Sequence, residues 1–431
     1  MTLVKKRQLK SRCVSSEPNR ALHKEAILSK TAIYLYFVAI FFQLYIVCYN
    51  GRTYLPDLVA SVPAISFLVA LIREYLYCLY FAVLLIDLYA NGLSKARLIF
   101  GLMATCLIVI NGNEGRLMPV IWATWLIIAF PRNLKLSSAV SFVLFSNIFF
   151  VVTTLALSFL GILPDHTQFQ HDEFRHSYGF VVPNALGMSV TFIVLIWSMM
   201  KANTWGVRHF LLVFGVLILT YSACDSRGAV IVCAALAIIL SIRACLKKRK
   251  TVHEHYCRII YGFSCIIVPL VALFSVGGVV FLSHFEDAHF FSTLSNLLNQ
   301  RLVFAINFYH EYGFHLLGQD VEFVSEKVAS ATGKSWSGVD GAFIQSALLY
   351  GLLITFFYAI LEAICAFRNA KLNMSFGFAA FTICFSIYCI TENIFWDAAS
   401  NITFLLIGYM LSNSLLVSRA PTMRFSSKSR E

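Results

Sequence analysis

Apolar runs long enough to cross a bilayer, or nearly so, recur about twelve times along these 431 residues, and no other feature limits the fold as strongly. They fall near residues 31–49, 66–90, 98–112, 117–131, 137–163, 184–201, 209–223, 228–246, 259–282, 342–367, 374–394 and 401–418. In hydrocarbon each backbone N–H and C=O needs a partner inside its own segment, so runs of this length must be helices. With 59% hydrophobic and only 13% charged residues, the chain carries more apolar surface than a soluble domain can hide. The expectation is an all-α polytopic membrane protein with about twelve transmembrane helices. The third and fourth runs are short and fit a re-entrant pair as well as two crossings.

The basic residues set the orientation. With the N-terminus in the cytoplasm, KKRQLK, SKAR, PRNLK, KKRK, FRNAK and SRAPTMRFSSKSR are all cytoplasmic, and 26 of the 34 Lys and Arg lie inside. The opposite orientation reverses this count and violates the positive-inside rule. The formal charge of +12 is therefore a topology signal facing anionic lipid headgroups, and nucleic acid is not an expected partner. The first 30 residues are polar and basic without the short apolar core of a cleaved leader, so the first run is expected to direct insertion. The resulting order is a basic cytoplasmic segment 1–30 and helices over 31–282 with an outer loop near 164–183. A large extracytoplasmic loop 283–341, helices over 342–418 and a basic tail 419–431 complete it. Within the large loop, Leu294–Phe308 reads as a helix lying along the interface. The twelve cysteines are scattered without a CxxC pair and read as small apolar side chains.

Chemistry is expected on the outer face, where three arginines have distinctive settings. Arg227 sits in the tight DSRGA turn between two helices, Arg301 sits in NQRLVFAINFYHEYGFHLLGQD, and Arg175 opens RHSYGFVVPNALG. A guanidinium confined to a short turn is preorganised to grip a phosphate with two N–H groups. Pro183 suits a helix start and Asn184 reads as its N-cap, and the free amides of such an end favour a nearby anion. The alternatives are an ordinary capped loop with surface arginines and, for Arg52 and Arg116, simple snorkelling to the interface. His166, His171 and His176 are five residues apart, which matches no metal-ligand spacing, and they read as a solvated loop. Asp340 precedes a long apolar run, where it is either a helix cap or an acidic group facing the outer side.

These segments resemble the polysaccharide polymerases of the Wzy type, within the O-antigen ligase and polymerase superfamily. RHSYGFVVPNALG is similar to that family's arginine, Tyr/Phe-Gly-Phe and His-Pro-Asn-x-x-Gly series, with Val182 in place of the histidine. DSRGA resembles its Ser-Arg turn. Arg301, Tyr312-Gly313 and Leu317-Gly318 resemble its Arg…Tyr-Gly…Phe-Gly pattern. VDGAFIQSALLYG resembles the Val-Asp-Asn-Ser-Tyr…Tyr-Gly of capsule and exopolysaccharide repeat-unit polymerases, with Gly341-Ala342 in place of Asn-Ser. The resemblance covers most of the chain and implies a GT-C-like fold in a bacterial cytoplasmic membrane, with both termini inside.

It also implies a metal-independent glycosyltransferase that needs no cofactor. A glycan on undecaprenyl diphosphate would pass to a sugar hydroxyl of another lipid-linked repeat unit. Arg227, Arg301 and Arg175 would stabilise the leaving diphosphate, Asp340 would activate the hydroxyl, and Tyr178 and Asn184 would contact substrate. Membrane lipids, a chain-length regulator and a flippase are the partners such an enzyme implies. The competing readings are a ligase passing finished glycan to another acceptor, and a transporter whose charges, among them Arg73, Glu74, Asp87, Glu362, Glu392 and Asp397, would line a path through the membrane.

The orientation has a direct test. Cysteines placed at His171 and Ser330 should react with a membrane-impermeant thiol reagent in intact cells, and one at Lys248 only after permeabilisation. The reverse labelling would overturn the inside-outside assignment.

Overall fold

In a computed structural model, residues 17–49, 51–112, 114–170, 173–286, 288–297, 300–324, 337–398 and 400–413 are described. The KKRQLK segment, the C-terminal tail, His171 and Ser330 lie outside them. The described chain is helical apart from one small antiparallel hairpin, β1 (Thr167–Gln170) with β2 (Glu173–His176), which pairs Gln168 with Arg175. Helix α1 (Glu17–Gln43) runs on through a π-helical turn, Leu44–Tyr49, and is followed by the short α2 (Leu55–Ala60). Then come α3 (Pro63–Asn91), α4 (Lys95–Asn111), α5 (Glu114–Ile128), α6 (Leu136–Phe159), α7 (Pro183–Lys201) and α8 (Val207–Cys224). The chain continues through α9 (Arg227–Leu246) and the long α10 (Lys250–Leu282), and the large loop carries α11 (His289–Leu297) and α12 (Arg301–Tyr312). The last three are α13 (Ala342–Lys371), α14 (Phe376–Tyr388) and α15 (Thr403–Ser412).

Eight of these helices are long and apolar enough to cross a membrane: α1, α3, α6, α7, α8, α9, α10 and α13. The remaining apolar runs also form helices, but shorter ones of 17, 15, 13 and 10 residues, α4, α5, α14 and α15. At 1.5 Å per residue they span about 15 to 25 Å, less than a full hydrocarbon core. Large apolar side chains remain on the outside of the bundle, including Phe67, Val109, Phe159 and Phe274, each about 70% exposed. In water that surface would be costly; against lipid it is at home. The protein is a polytopic helical membrane protein.

Helix α14 is the post of the bundle. Its sequence, FGFAAFTICFSIY, is apolar on nearly all sides, and all its residues except Ile387 are buried. A helix of that kind belongs inside a bundle, and α7, α9 and α10 pack around it. The connections sort to two ends. At one end Arg97 bridges Asp87 at 2.8 Å and also donates to the Phe130 carbonyl and Ser412, tying α3, α4 and α15 together. Asp87 is thus a structural partner of Arg97 at a helix end. At the opposite end Val181 N–H donates to the Arg52 carbonyl at 2.9 Å and Arg52 pairs with Asp397, joining the segment after β2 to the turn after α14.

The large loop docks onto that end through its own apolar cluster. Leu302, Ala305 and Ile306, at helical spacing on α12, pack with Phe291 of α11, Val339, and Ile344 and Leu348 of α13. The expected single helix over Leu294–Phe308 is two, α11 and α12, separated near Gln300, whose left-handed backbone (φ 63°) ends helical continuity. A second anchor lies at Gly351, where φ of 83° kinks α13. The freed amides of Leu352 and Leu353 donate instead to the carbonyls of His315 and Leu316 of the large loop at 2.9 and 3.1 Å. A Cβ on Gly351 would stand 2.5 Å from the Leu316 carbonyl oxygen. Asn111 closes the joint, accepting from Gly318 N–H at 2.9 Å and donating to the Tyr350 carbonyl at 2.8 Å. The Leu317-Gly318 and Tyr350-Gly351 pairs are two halves of one backbone joint.

Gly351→Ala should therefore lower the thermal unfolding midpoint of the detergent-solubilised protein, by the roughly 1–3 kcal/mol typical of forced left-handed backbone. Gly262→Ala, with open space around it, should leave the midpoint unchanged. Equal midpoints for the two variants would contradict the joint.

Candidate active site at the loop end of the bundle

Arg301, Asp340 and Asn184, singled out for glycosyl transfer, come together around Glu392, which the sequence offered only as a charge of the transporter reading. Arg301 begins α12 and turns its guanidinium toward two carboxylates. Its Nε meets Asp340 Oδ2 at 3.1 Å, and its two terminal nitrogens reach Glu392 Oε1 at 3.2 Å. One of them also donates to the Thr391 carbonyl. Glu392 Oε1 accepts from Asn184 Nδ2 at 3.3 Å, and Asn184 Oδ1 accepts from Ser226 Oγ at 3.0 Å. Ser226 directly precedes Arg227, and Gly228 lies against Tyr388 and Thr391. The chain of contacts runs Asp340, Arg301, Glu392, Asn184, Ser226, with Arg227 at its edge.

Local sequence explains each placement. Pro183 starts α7 at a position where no amide partner is needed, and Asn184 and Gly187 then share the face turned toward Ser226. Gly187 is required there: a Cβ would come within 2.6 Å of Ser226 Cβ. The Ala342 amide at the start of α13 donates to the Cys389 carbonyl at 2.9 Å. That bond holds Asp340 beside the turn that follows α14 and carries Glu392.

The expected capping roles are corrected. The N-cap of α7 is Val182, and Asn184 directs its side chain across to Glu392 and Ser226. The N-cap of α13 is Gly341, with no side-chain cap, and the Asp340 carboxylate goes to Arg301. Arg175 is buried and donates through Nε to the Cys224 carbonyl at 2.7 Å, securing the end of α8 rather than facing the start of α7. Tyr178 adopts a left-handed backbone (φ 47°) and stacks on His176. Asp165 accepts from the Ser177 and Tyr178 amides and pairs with His176 at 2.7 Å. Burial acts to raise the Asp165 carboxyl, but these hydrogen bonds outweigh it and hold it below the usual value. Among the described residues, no group of His, Cys, Asp and Glu is placed to hold a metal ion.

Charge distribution separates the arginines. Arg301 is paired with two carboxylates, so that cluster has no positive excess when both are ionised. Arg227 is 55% exposed and, among the described residues, pairs with Asp225 at 3.5 Å, so its guanidinium stands open to solvent. Asp340 is one third exposed, while Glu392 is buried. Burial raises the Asp340 carboxyl above its ordinary range, and the Arg301 guanidinium opposes that rise without cancelling it. A partly open carboxylate with a raised pKa accepts a proton more readily than an ordinary one.

Sequence reasoning named Glu392 and Asp397 only as charges of the transporter reading and missed their pairing with Arg301 and Arg52. The turn ENIFWDAAS places Glu392 and Asp397 five residues apart, and the structure gives each an arginine, Arg301 and Arg52. Arg52 is thus a partly buried cross-link to Asp397, also 5.2 Å from the Phe192 ring, and not a snorkelling side chain. The available signal was two acids within a short polar turn at the end that carries the arginines. Glu362 also has local partners, Asn401 at 2.8 Å and Thr403. No protein-family model, no characterised protein and no solved structure matches the chain.

Removing Glu392 should be costly, because it leaves Arg301 beside a buried, unfilled position. Glu392→Ala should lose roughly 3–5 kcal/mol of stability, and Glu392→Gln, which keeps an acceptor for Asn184 and Arg301, should lose less. Thermal unfolding in detergent reads both. Equal midpoints for the two variants would place the cluster outside the packing core.

Proposed function

We propose that the protein polymerises lipid-linked oligosaccharide repeat units at the outer face of the bacterial cytoplasmic membrane. In this reading it crosses the membrane twelve times, with both termini in the cytoplasm, and its loop end faces out. The observation that carries the proposal is the meeting of Asp340, Arg301, Asn184 and the Ser226-Arg227 turn around Glu392. Those positions come from four separate segments, each carrying its own sequence motif.

The arrangement supports a division of labour for glycosyl transfer. The acceptor sugar hydroxyl attacks the anomeric carbon, forming the new C–O bond. The bond from that carbon to the undecaprenyl diphosphate breaks, and the electron pair leaves with the diphosphate. Asp340 accepts the hydroxyl proton. Arg227 meets the negative charge that develops on the diphosphate, where a fixed cation lowers the barrier most. Arg301 orients Asp340, and Glu392 holds Arg301 in place. Two lipid-anchored substrates confined to one membrane surface also gain from proximity.

Purified protein supplied with a lipid-linked repeat unit should yield a ladder of products. Asp340→Asn should slow the ladder by about 10²-fold or more, the usual contribution of a general base. Arg227→Ala should abolish it, with Arg227→Lys restoring part, because lysine keeps charge without the planar fork. Wild-type ladders from both Asp340→Asn and Arg227→Ala would overturn this assignment.

A further inference from the structure

A groove of about 690 Å³ opens where α10 meets the turn after α12, lined by residues 309–315 and by Val276, Val280 and Leu352. It lies apart from the arginine cluster: α12 begins at Arg301, and eleven residues of helix separate it from Tyr312, about 17 Å. Its chemistry is distinct as well. Tyr309, Tyr312 and Phe314 present aromatic surface, with the Tyr309 and Phe314 rings 5.1 Å apart. Glu311 is exposed at the rim. The two histidines of the groove have partners: His310 bonds Glu286 at 2.7 Å and His315 the Tyr312 carbonyl at 3.0 Å. No lysine or arginine lines the groove. Val276 and Val280 belong to the last turns of α10, a candidate membrane span, so the floor sits at the level where a lipid-anchored headgroup emerges.

Aromatic faces with a carboxylate at the rim and no cation disfavour phosphate and favour a ligand that is uncharged, hydroxyl-rich and apolar on one face. Pyranose rings have that character: their C–H faces stack on aromatic rings and their hydroxyls donate to carboxylates. We infer that this groove binds uncharged sugars of the glycan, several residues away from the diphosphate end. The inference rests on the polymerase reading for the identity of the glycan. The groove would then hold the growing chain while its lipid-linked end reacts near Arg227, with α12 as the spacer between them.

The test is hydrogen–deuterium exchange on the full chain in detergent. The probe is the producing cell's own surface polysaccharide, cleaved to neutral single and double repeat units. Amides of residues 309–316 should exchange more slowly with the probe. Glu311→Ala, on an exposed side chain, and Tyr312→Ala should lose that slowing, while Tyr312→Phe and Arg227→Ala, the latter on an exposed side chain outside the groove, should keep it. No slowing in the wild type, slowing that survives in both alanine variants, or slowing caused instead by a short-chain polyprenyl phosphate would overturn the inference. Ladder formation on the same preparations separates the two proposals. Slowing without a ladder supports the subsite and counts against the polymerase reading. A ladder without slowing leaves that reading and removes the subsite.

Discussion

The loop end of this bundle depends on one guanidinium held between two carboxylates. Arg301 reaches Asp340 from the loop that precedes α13 and Glu392 from the turn that follows α14. It thereby joins the large loop to the two last long segments of the chain. Charges this sheltered carry a large desolvation cost when unpaired, so each member constrains where the other two can sit. Asn184 and Ser226 extend the constraint to α7 and to the turn before α9. The apolar cluster under α12 and the backbone joint at Gly351 keep the large loop in register with that network.

The division of charge follows from the same geometry. A cation enclosed by two acids is a poor phosphate ligand but a good device for orienting a carboxylate. A cation standing at the rim, as Arg227 does, has the opposite aptitude. Sequence alone ranked both arginines as diphosphate ligands, because a motif reports which residue is present but not what already neutralises it. The contacts of Arg175 make the same point, since its partner is a helix-end carbonyl.

Much of the architecture was legible in the sequence, because hydrocarbon leaves the backbone few choices. Helices form on all the apolar runs, and the polar break at Pro183-Asn184 does begin a helix. The hairpin over 167–176, the split between α11 and α12 and the kink at Gly351 were not legible. Each is set by a partner far away in the chain, such as the loop carbonyls of His315 and Leu316 that take the amides freed by the kink. At the candidate site, Arg301, Asp340 and Asn184 were identified, yet two were assigned as helix caps or potential caps. Capping preference is a local rule, and here cross-chain hydrogen bonds override it. Glu392 was visible only as a charge near a helix end, because nothing local tells an acid which arginine it will meet.

In the proposed reaction Asp340 is the base, its proton affinity raised by burial against the opposing pull of Arg301. A raised carboxyl must lose its proton before it can accept one, so activity should fall as pH drops through its folded-state pKa. The most direct measurement is the initial rate of polymer formation by purified protein as a function of pH. The expected profile has an acid limb above the ordinary aspartate value of about 3.9. A rate that stays constant down to and below that value would contradict the account.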